Sequence, residues 1–432
     1  MSKMKPGGTD AADAERSPPR PSFVRRLCLC AAEEEEDDAE VGASEADAVG
    51  YEMTKLGGAA AAASTSAATR CPPHPGLARG LCSQCGAEEE DAGSAGAASN
   101  SIPDVPSPSI PRATKRSTLL RAGKLTLILD LDHTLLNSTG FDDLSPTEQG
   151  NGFTRLTRDD PATGLYRLGS RPLRMLTKLR PFARGFLEQA SAMFEMYAYT
   201  LGERHYARAV VNLLDPDGAF FGERIVACED SASRDRKSLD AIPGADPRAV
   251  VILDDTDRVW PEQQDNLILM DRYVYFASTC RNFGYAGMSS LAELRRDERE
   301  GDGSLAVALG VLRRVHGEFF GSVLGGRFAD VREVIALVRG EVLRGCTVAF
   351  TRVIPLEACA EEHHLWRLAE KLGAVCVADV EAKVTHVVAQ DPGTEKAQWA
   401  RDNNKFLVNP DWIKAASFRW CRPNEQEFPV RR

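Results

Sequence analysis

Short apolar runs, each closed by a charged or turn-forming residue, alternate with stretches of helical periodicity between residues 115 and 290. This alternation predicts strands linked by helices, the pattern of a parallel sheet. Lys124–Leu129 reads as a strand buried on both faces, followed by an irregular stretch to about Leu165. A hairpin, Tyr166–Leu168 with Met175–Leu179, precedes Pro181, which opens a helix through Ala192. Strand Met193–Tyr199, helix Glu203–Leu214 and strands Arg224–Cys228, Val250–Leu253 and Asn266–Met270 complete this unit.

Residues 291–339 form a helical connector within a helical reading of 288–344. Leu305, Leu309, Leu312, Val315 and Phe319, then Val331, Ile335, Val338 and Val342, recur at near-helical spacing. Their apolar stripes are expected to join two domains. The chain over 340–432 repeats the α/β pattern. Its strands are Cys346–Phe350, Val375–Val377, His386–Ala389 and Phe406–Val408; its helices are Trp366–Leu372 and Glu395–Asn403, with a last one opening at Asn409-Pro410-Asp411-Trp412-Ile413.

The N-terminal region reads differently. Residues 1–67 are rich in Ala, Gly, Ser and Pro and carry the acidic run Glu33–Asp38, a composition too poor in apolar side chains to offset chain entropy. They are expected to be disordered. Over 68–90 the spacing Cys71-x2-His74-x7-Cys82-x2-Cys85 fits a small tetrahedral zinc knuckle, with incidental linker cysteines as the alternative. Residues 91–114 return to an acidic, Ser- and Pro-rich linker.

With 432 residues the chain has room for two or three domains on the rough ~150-residue scale. Its formal charge of −10 argues against direct nucleic-acid binding, which rests on Lys and Arg neutralising phosphates. No run approaches the ~20 apolar residues that cross a bilayer, and the start is too polar and Pro-rich for a signal peptide, so no membrane role is expected. Eleven scattered cysteines, an odd number, suit a reducing compartment, nucleus or cytoplasm.

Leu125-Thr-Leu-Ile-Leu-Asp130-Leu-Asp132-His133-Thr134 carries the chemistry. Ligand crevices of open α/β sheets lie beyond the carboxyl ends of the strands. A buried strand has no structural use for two carboxylates at its tip, because unpaired charge is costly to desolvate. Asp254-Asp255 closes a second strand in the same way. Alternation points His133 away from the two acids. Cys228 and Cys280 have no nearby His in sequence to activate them, which disfavours a cysteine-based mechanism.

The apolar strand ending Asp-x-Asp-x-Thr resembles the first motif of the haloacid-dehalogenase-like (HAD-like) phosphatases. Tyr199-Thr200-Leu201-Gly202-Glu203-Arg204 resembles the second motif, Lys237 in Arg236-Lys237-Ser238-Leu239 the third, and Val250–Leu253 with Asp254-Asp255 the fourth. Leu179-Arg180-Pro181-Phe182 and Val259-Trp260-Pro261 narrow the likeness to the FCP/SCP branch, which dephosphorylates the C-terminal repeat domain (CTD) of RNA polymerase II. Gly373-Ala374 and Trp412 resemble a BRCT domain, and the order of modules looks like plant CTD-phosphatase-like proteins. The resemblance covers roughly 68–90 and 115–430. It implies a mixed α/β chain: a HAD-like parallel-sheet catalytic domain, a small α/β BRCT domain and a disordered N-terminus.

The resemblance also implies roles. Asp130 becomes the nucleophile of an aspartyl-phosphate, Asp132 the general acid and base, Thr200 a phosphoryl-oxygen donor and Lys237 a charge stabiliser. Asp130, Asp132, Asp254 and Asp255 become magnesium ligands, with manganese or cobalt as substitutes. Arg180 and Arg204 are candidates for phosphate contact or packing; Thr351 and Lys396 are candidates for a BRCT phosphate pocket. The implied partners are the phosphorylated CTD and, through the BRCT domain, transcription factors, in the nucleus. The alternatives are a catalytically weak BRCT-containing nuclear scaffold and a phosphatase acting on another nuclear phosphoprotein. A small-molecule phosphatase of the same superfamily fits less well, since no large cap is evident.

Overall fold

The computed structural model describes residues 112–431, apart from 157, 170–173, 286, 325–328 and 356, together with strands β1 (Leu77–Ala78) and β2 (Leu81–Cys82). The β1–β2 pair is antiparallel, Leu77 opposite Cys82. The tail expected to be disordered, residues 91–111 of the expected 91–114 linker and the Cys71, His74, Cys82 and Cys85 side chains lie outside the described residues, while 112–114 belong to the helix Arg112–Arg121.

The catalytic unit is built on a five-stranded, all-parallel sheet. Its strands are β3 (Leu125–Leu129), β7 (Phe194–Tyr199), β8 (Ile225–Val226), β9 (Val250–Asp254) and β10 (Leu267–Leu269), ordered β10-β9-β3-β7-β8. Helices Ala183–Ser191, Arg204–Leu214, Ser304–Leu324 and Val331–Arg339 supply the core of one face, where Leu125, Leu127 and Leu129 meet Phe186, Val210, Leu312 and Val334. The other face is closed by Tyr197, Leu239, Ile242 and Trp260 against Ile128 and Ile252. Apolar cover on both sides is why β3 and β9 read as unbroken hydrophobic runs. The two long C-terminal helices are therefore part of the catalytic core, the second also meeting the C-terminal unit through Arg339, and residues 291–303 form turns where helix was expected.

Between β3 and β7 lies a three-stranded antiparallel sheet, ordered β4 (Leu136–Gly140), β6 (Met175–Leu179), β5 (Leu165–Leu168). The hairpin β5–β6 follows the sequence expectation; β4 falls in the stretch read as irregular. Its Leu-Asn-Ser-Thr-Gly sequence shows no apolar alternation, because its polar side chains are buried as partners. The Asn137 side-chain Oδ1 accepts from the backbone N–H groups of Tyr275 and Phe276 at 2.9 Å each. The helix expected from Pro181 begins at Ala183, after Phe182 in a left-handed conformation (φ 71°).

The C-terminal unit is a four-stranded parallel sheet, β12 (Val375–Val377), β11 (Thr347–Thr351), β13 (His386–Ala389) and β14 (Phe406–Val408), in that order. Trp412 is fully buried in its core and donates to the Pro423 carbonyl at 3.1 Å. This unit packs on the catalytic core through Trp420, over whose ring the Arg339 guanidinium sits at 5.5 Å.

Candidate active site

Register alone brings the first two carboxylates together. β3 and β9 are neighbours with Leu129 opposite Leu253, and the Asp130 N–H donates to the Leu253 carbonyl at 3.0 Å. Asp130 and Asp254 therefore leave adjacent strand ends side by side. Lys237, anchored by its own N–H on the Val259 carbonyl, reaches between them. Its Nζ lies 2.6 Å from Oδ1 of Asp130 and 2.6 Å from Oδ2 of Asp254. Tyr199 and Trp260 wall the ammonium at 5.6 and 5.8 Å from their ring centroids. Trp260 Nε1 adds a donor to Asp254 Oδ2 at 2.8 Å.

Oxygens of Asp130, Asp254 and Asp255 lie within 4.8 Å of one another. Asp130 Oδ2 is buried and has no hydrogen-bond partner. An oxygen-only donor set with one orphaned carboxylate oxygen fits a hard divalent cation such as magnesium. Electrostatics agree. Burial pushes the Asp130 carboxyl well up against the pull of Lys237, and Asp254, Asp255 and Asp132 push it further. Added positive charge lowers it again, since a cation favours the carboxylate. Burial also works against the Lys237 ammonium, but Asp130 and Asp254 outweigh it and keep the lysine charged.

Asp132 does not join this cluster with its side chain. Its Oδ2 accepts from Thr200 Oγ1 at 3.2 Å and its Oδ1 from the Tyr206 hydroxyl at 2.5 Å. The Asp132 carboxylate, expected among the metal ligands, is engaged by these two hydroxyls. Thr200 is steered in turn by the Gly202 N–H, which donates to its Oγ1 at 2.9 Å. Ser138 and Thr177 of the inserted sheet continue the network to Tyr206, with Ser138 Oγ 3.0 Å from the phenol. His133 (φ 64°) turns away, with its Nδ1 3.2 Å from Asn137 Nδ2 and its ring edge-on to Phe283.

The two arginines expected at a phosphate site or in packing each pair with a carboxylate. The Arg180 side chain is fully buried and binds Glu298 through Nε and Nη2 (2.9 and 2.7 Å) and the carbonyls of Thr134 and Asp271. It fastens the first motif to the 298 loop. Arg204 pairs with Asp230 at the exposed rim. In the C-terminal unit Thr351 ends β11, while Lys396 lies 3.3 Å from Asp379 and donates to the Ala378 carbonyl. That pair is exposed, and such pairs hold only about 0–1 kcal/mol.

Sequence reasoning missed Tyr206 and Arg272. Tyr206 is six residues beyond Thr200 on the next helix and reads there as one more apolar-face residue. Arg272 Nε lies 2.5 Å from Asp255 Oδ2, from a segment without any motif.

Residues 125–283 match the family described as NLI interacting factor-like phosphatase, and residues 356–412 match the twin BRCT domain. RNA polymerase II C-terminal domain phosphatase-like 4 of Arabidopsis thaliana is 44% identical over 362 residues, covering 82% of this chain and 81% of that one. RNA polymerase II C-terminal domain phosphatase-like 3 of the same plant is 37% identical over 330 residues, covering 74% of this chain and 26% of that one. The solved structure of Fcp1, an essential RNA polymerase II CTD phosphatase, shares the fold with a TM-score of 0.57 at 24% identity, covering 74% of this chain and 99% of that one.

Proposed function

Because this chain belongs to the RNA polymerase II C-terminal domain phosphatase family, we propose that it is a magnesium-dependent phosphatase that removes phosphate from serines of the polymerase CTD in the nucleus. The observation that carries this reading is the buried Asp130–Lys237–Asp254 arrangement, with one Asp130 oxygen left unpartnered.

Hydrolysis of a phosphate monoester is extremely slow uncatalysed, and a covalent intermediate divides it into two easier steps. An oxygen of Asp130 attacks phosphorus while the bond to the serine oxygen breaks. Asp132 gives its proton to that leaving oxygen, producing free serine and an aspartyl-phosphate on Asp130. The Asp132 carboxylate, held by Thr200 and Tyr206, then takes a proton from water whose oxygen attacks the same phosphorus. Inorganic phosphate leaves and Asp130 is restored. Lys237 stands beside the attacked group throughout and stabilises its charge. Asp130, Asp254 and Asp255 would hold a magnesium ion, which would supply positive charge to offset that of the phosphoryl group.

The BRCT unit contributes partner docking, with Thr351 and Lys396 as its phosphopeptide candidates and transcription factors among its partners. The metal-bearing cleft serves the chemistry alone.

The test uses singly phosphorylated CTD heptad peptides, an unrelated phosphoserine peptide and an aryl phosphate, each with magnesium, manganese, cobalt or chelator. Preferential, chelator-sensitive phosphate release from CTD peptides is expected. Equal rates on the unrelated peptide would shift the substrate to another phosphoprotein, and full activity in chelator would remove the metal from the account.

A further inference from the structure

Resting on the reading of the acidic cluster as a divalent-cation site, we propose that Arg272 is a specificity-determining residue that favours a small six-coordinate cation over a larger one such as calcium. The cluster has a common feature in its three carboxylates. Each has at least one oxygen taken by a protein donor: Asp130 Oδ1 by Lys237 at 2.6 Å, Asp255 Oδ2 by Arg272 at 2.5 Å, and Asp254 Oδ2 by Lys237 and Trp260 at 2.6 and 2.8 Å, with its Oδ1 also accepting from the Thr256 N–H at 2.9 Å. A carboxylate held in this way offers a cation at most one oxygen instead of two. Carboxylates that each present at most one oxygen leave the remaining positions to water and a substrate phosphate, the usual mode of magnesium, whereas calcium takes about 6–8 oxygens and readily uses both oxygens of a carboxylate.

Lys237 and Trp260 belong to the catalytic pocket itself. Arg272 does not, and it is held rigidly. The Met270 N–H donates to the Asp254 carbonyl at 2.8 Å, so the chain continues beside β9 and delivers Arg272 to Asp255. Its Nη2 donates to Thr256 Oγ1 at 2.9 Å and its Nη1 to the Tyr285 hydroxyl at 3.1 Å. The guanidinium plane rests 3.9 Å from the Phe283 ring centroid. Only a planar, multiply donating cation uses its edge on a carboxylate, a hydroxyl and a phenol while its face stacks on a ring. With 11% of its side chain exposed, the clamp has little freedom to release Asp255 Oδ2.

Full-length wild type, R272M and R272K are titrated with manganese, followed by the electron paramagnetic resonance of the free ion, and calcium affinity is read by displacement. The quantity measured is the ratio of the calcium to the manganese dissociation constant. Removing a positive charge changes the affinity for both divalent ions together and cancels in this ratio, while freeing Asp255 Oδ2 helps calcium alone. R272M is expected to lower the ratio about tenfold or more, the scale on which outer partners tune metal sites. R272K, which keeps the charge but not the fork, shifts the ratio in the same direction by less. Circular dichroism identifies the folded variants. A ratio within about twofold of wild type in every folded variant would overturn the assignment to Arg272 while leaving the cation site standing. If wild type bound neither ion, the cation reading would fall, and this proposal with it.

Discussion

The Tyr206 hydroxyl lies 2.5 Å from Oδ1 of Asp132 and the Thr200 hydroxyl 3.2 Å from Oδ2, so the proposed acid of the first step is aimed through both oxygens. Tyr206→Phe keeps the ring in the core and removes one of the two aims. A phosphoserine peptide, whose leaving oxygen needs a proton, is expected to lose about 10–100-fold in kcat. An aryl phosphate with a good leaving group loses much less in its first step. Steady-state rates on both substrates check this; equal losses contradict the positioning role.

Gly373 and Gly340 meet backbone to backbone. Gly373 has φ +92°, and a Cβ built there would stand 1.9 Å from the Gly340 carbonyl oxygen, at the end of helix Val331–Arg339. Gly373→Ala therefore combines left-handed strain, of about 1–3 kcal/mol, with a clash against backbone. The expected outcome is a clear fall in melting temperature, with aryl phosphate turnover unchanged well below the transition. An unchanged melting temperature contradicts the close approach.

His386 is buried between Phe406 and Trp412, with ring centroids 4.9 and 4.4 Å away. Burial depresses its pKa to about 4, with Glu425 opposing and Arg422 assisting. The folded ring stays neutral where the unfolded chain, near its ordinary value of 6.5, takes up a proton. Its contribution to stability is therefore complete above that value and is lost as pH falls toward about 4. Melting temperatures across this range should drop more steeply for wild type than for His386→Gln. Parallel curves contradict the assignment.

The chemistry at the strand ends is legible in sequence because β3 and β9 are covered on both faces. Their apolar runs have no local use for Asp130 and Asp254, so the acids stand out. Strand β4 is not legible, since Asn137 and Thr139 are buried for the hydrogen bonds they accept from a segment over a hundred residues away. Arg180 has the same origin: a motif arginine looks like a phosphate ligand until Glu298 is found on its guanidinium. Tyr206 and Arg272 act on Asp132 and Asp255 purely through tertiary contact, and no spacing rule announces them. The apolar residues at helical spacing begin only at Leu305, and before them Glu298 accepts from the N–H of Ser304 at the helix start.

The central claim is that Asp130 forms the covalent bond to phosphorus. Asp130→Asn keeps the size of the side chain and removes one charge from a crowded acidic pocket, so the fold is expected to persist. Phosphate release from a phosphorylated CTD peptide, measured beside circular dichroism of the same sample, tests it most directly. The account predicts a loss of several decades with an unchanged spectrum, as removal of a covalent catalyst requires. Activity above about 10% of wild type in a folded variant would contradict it.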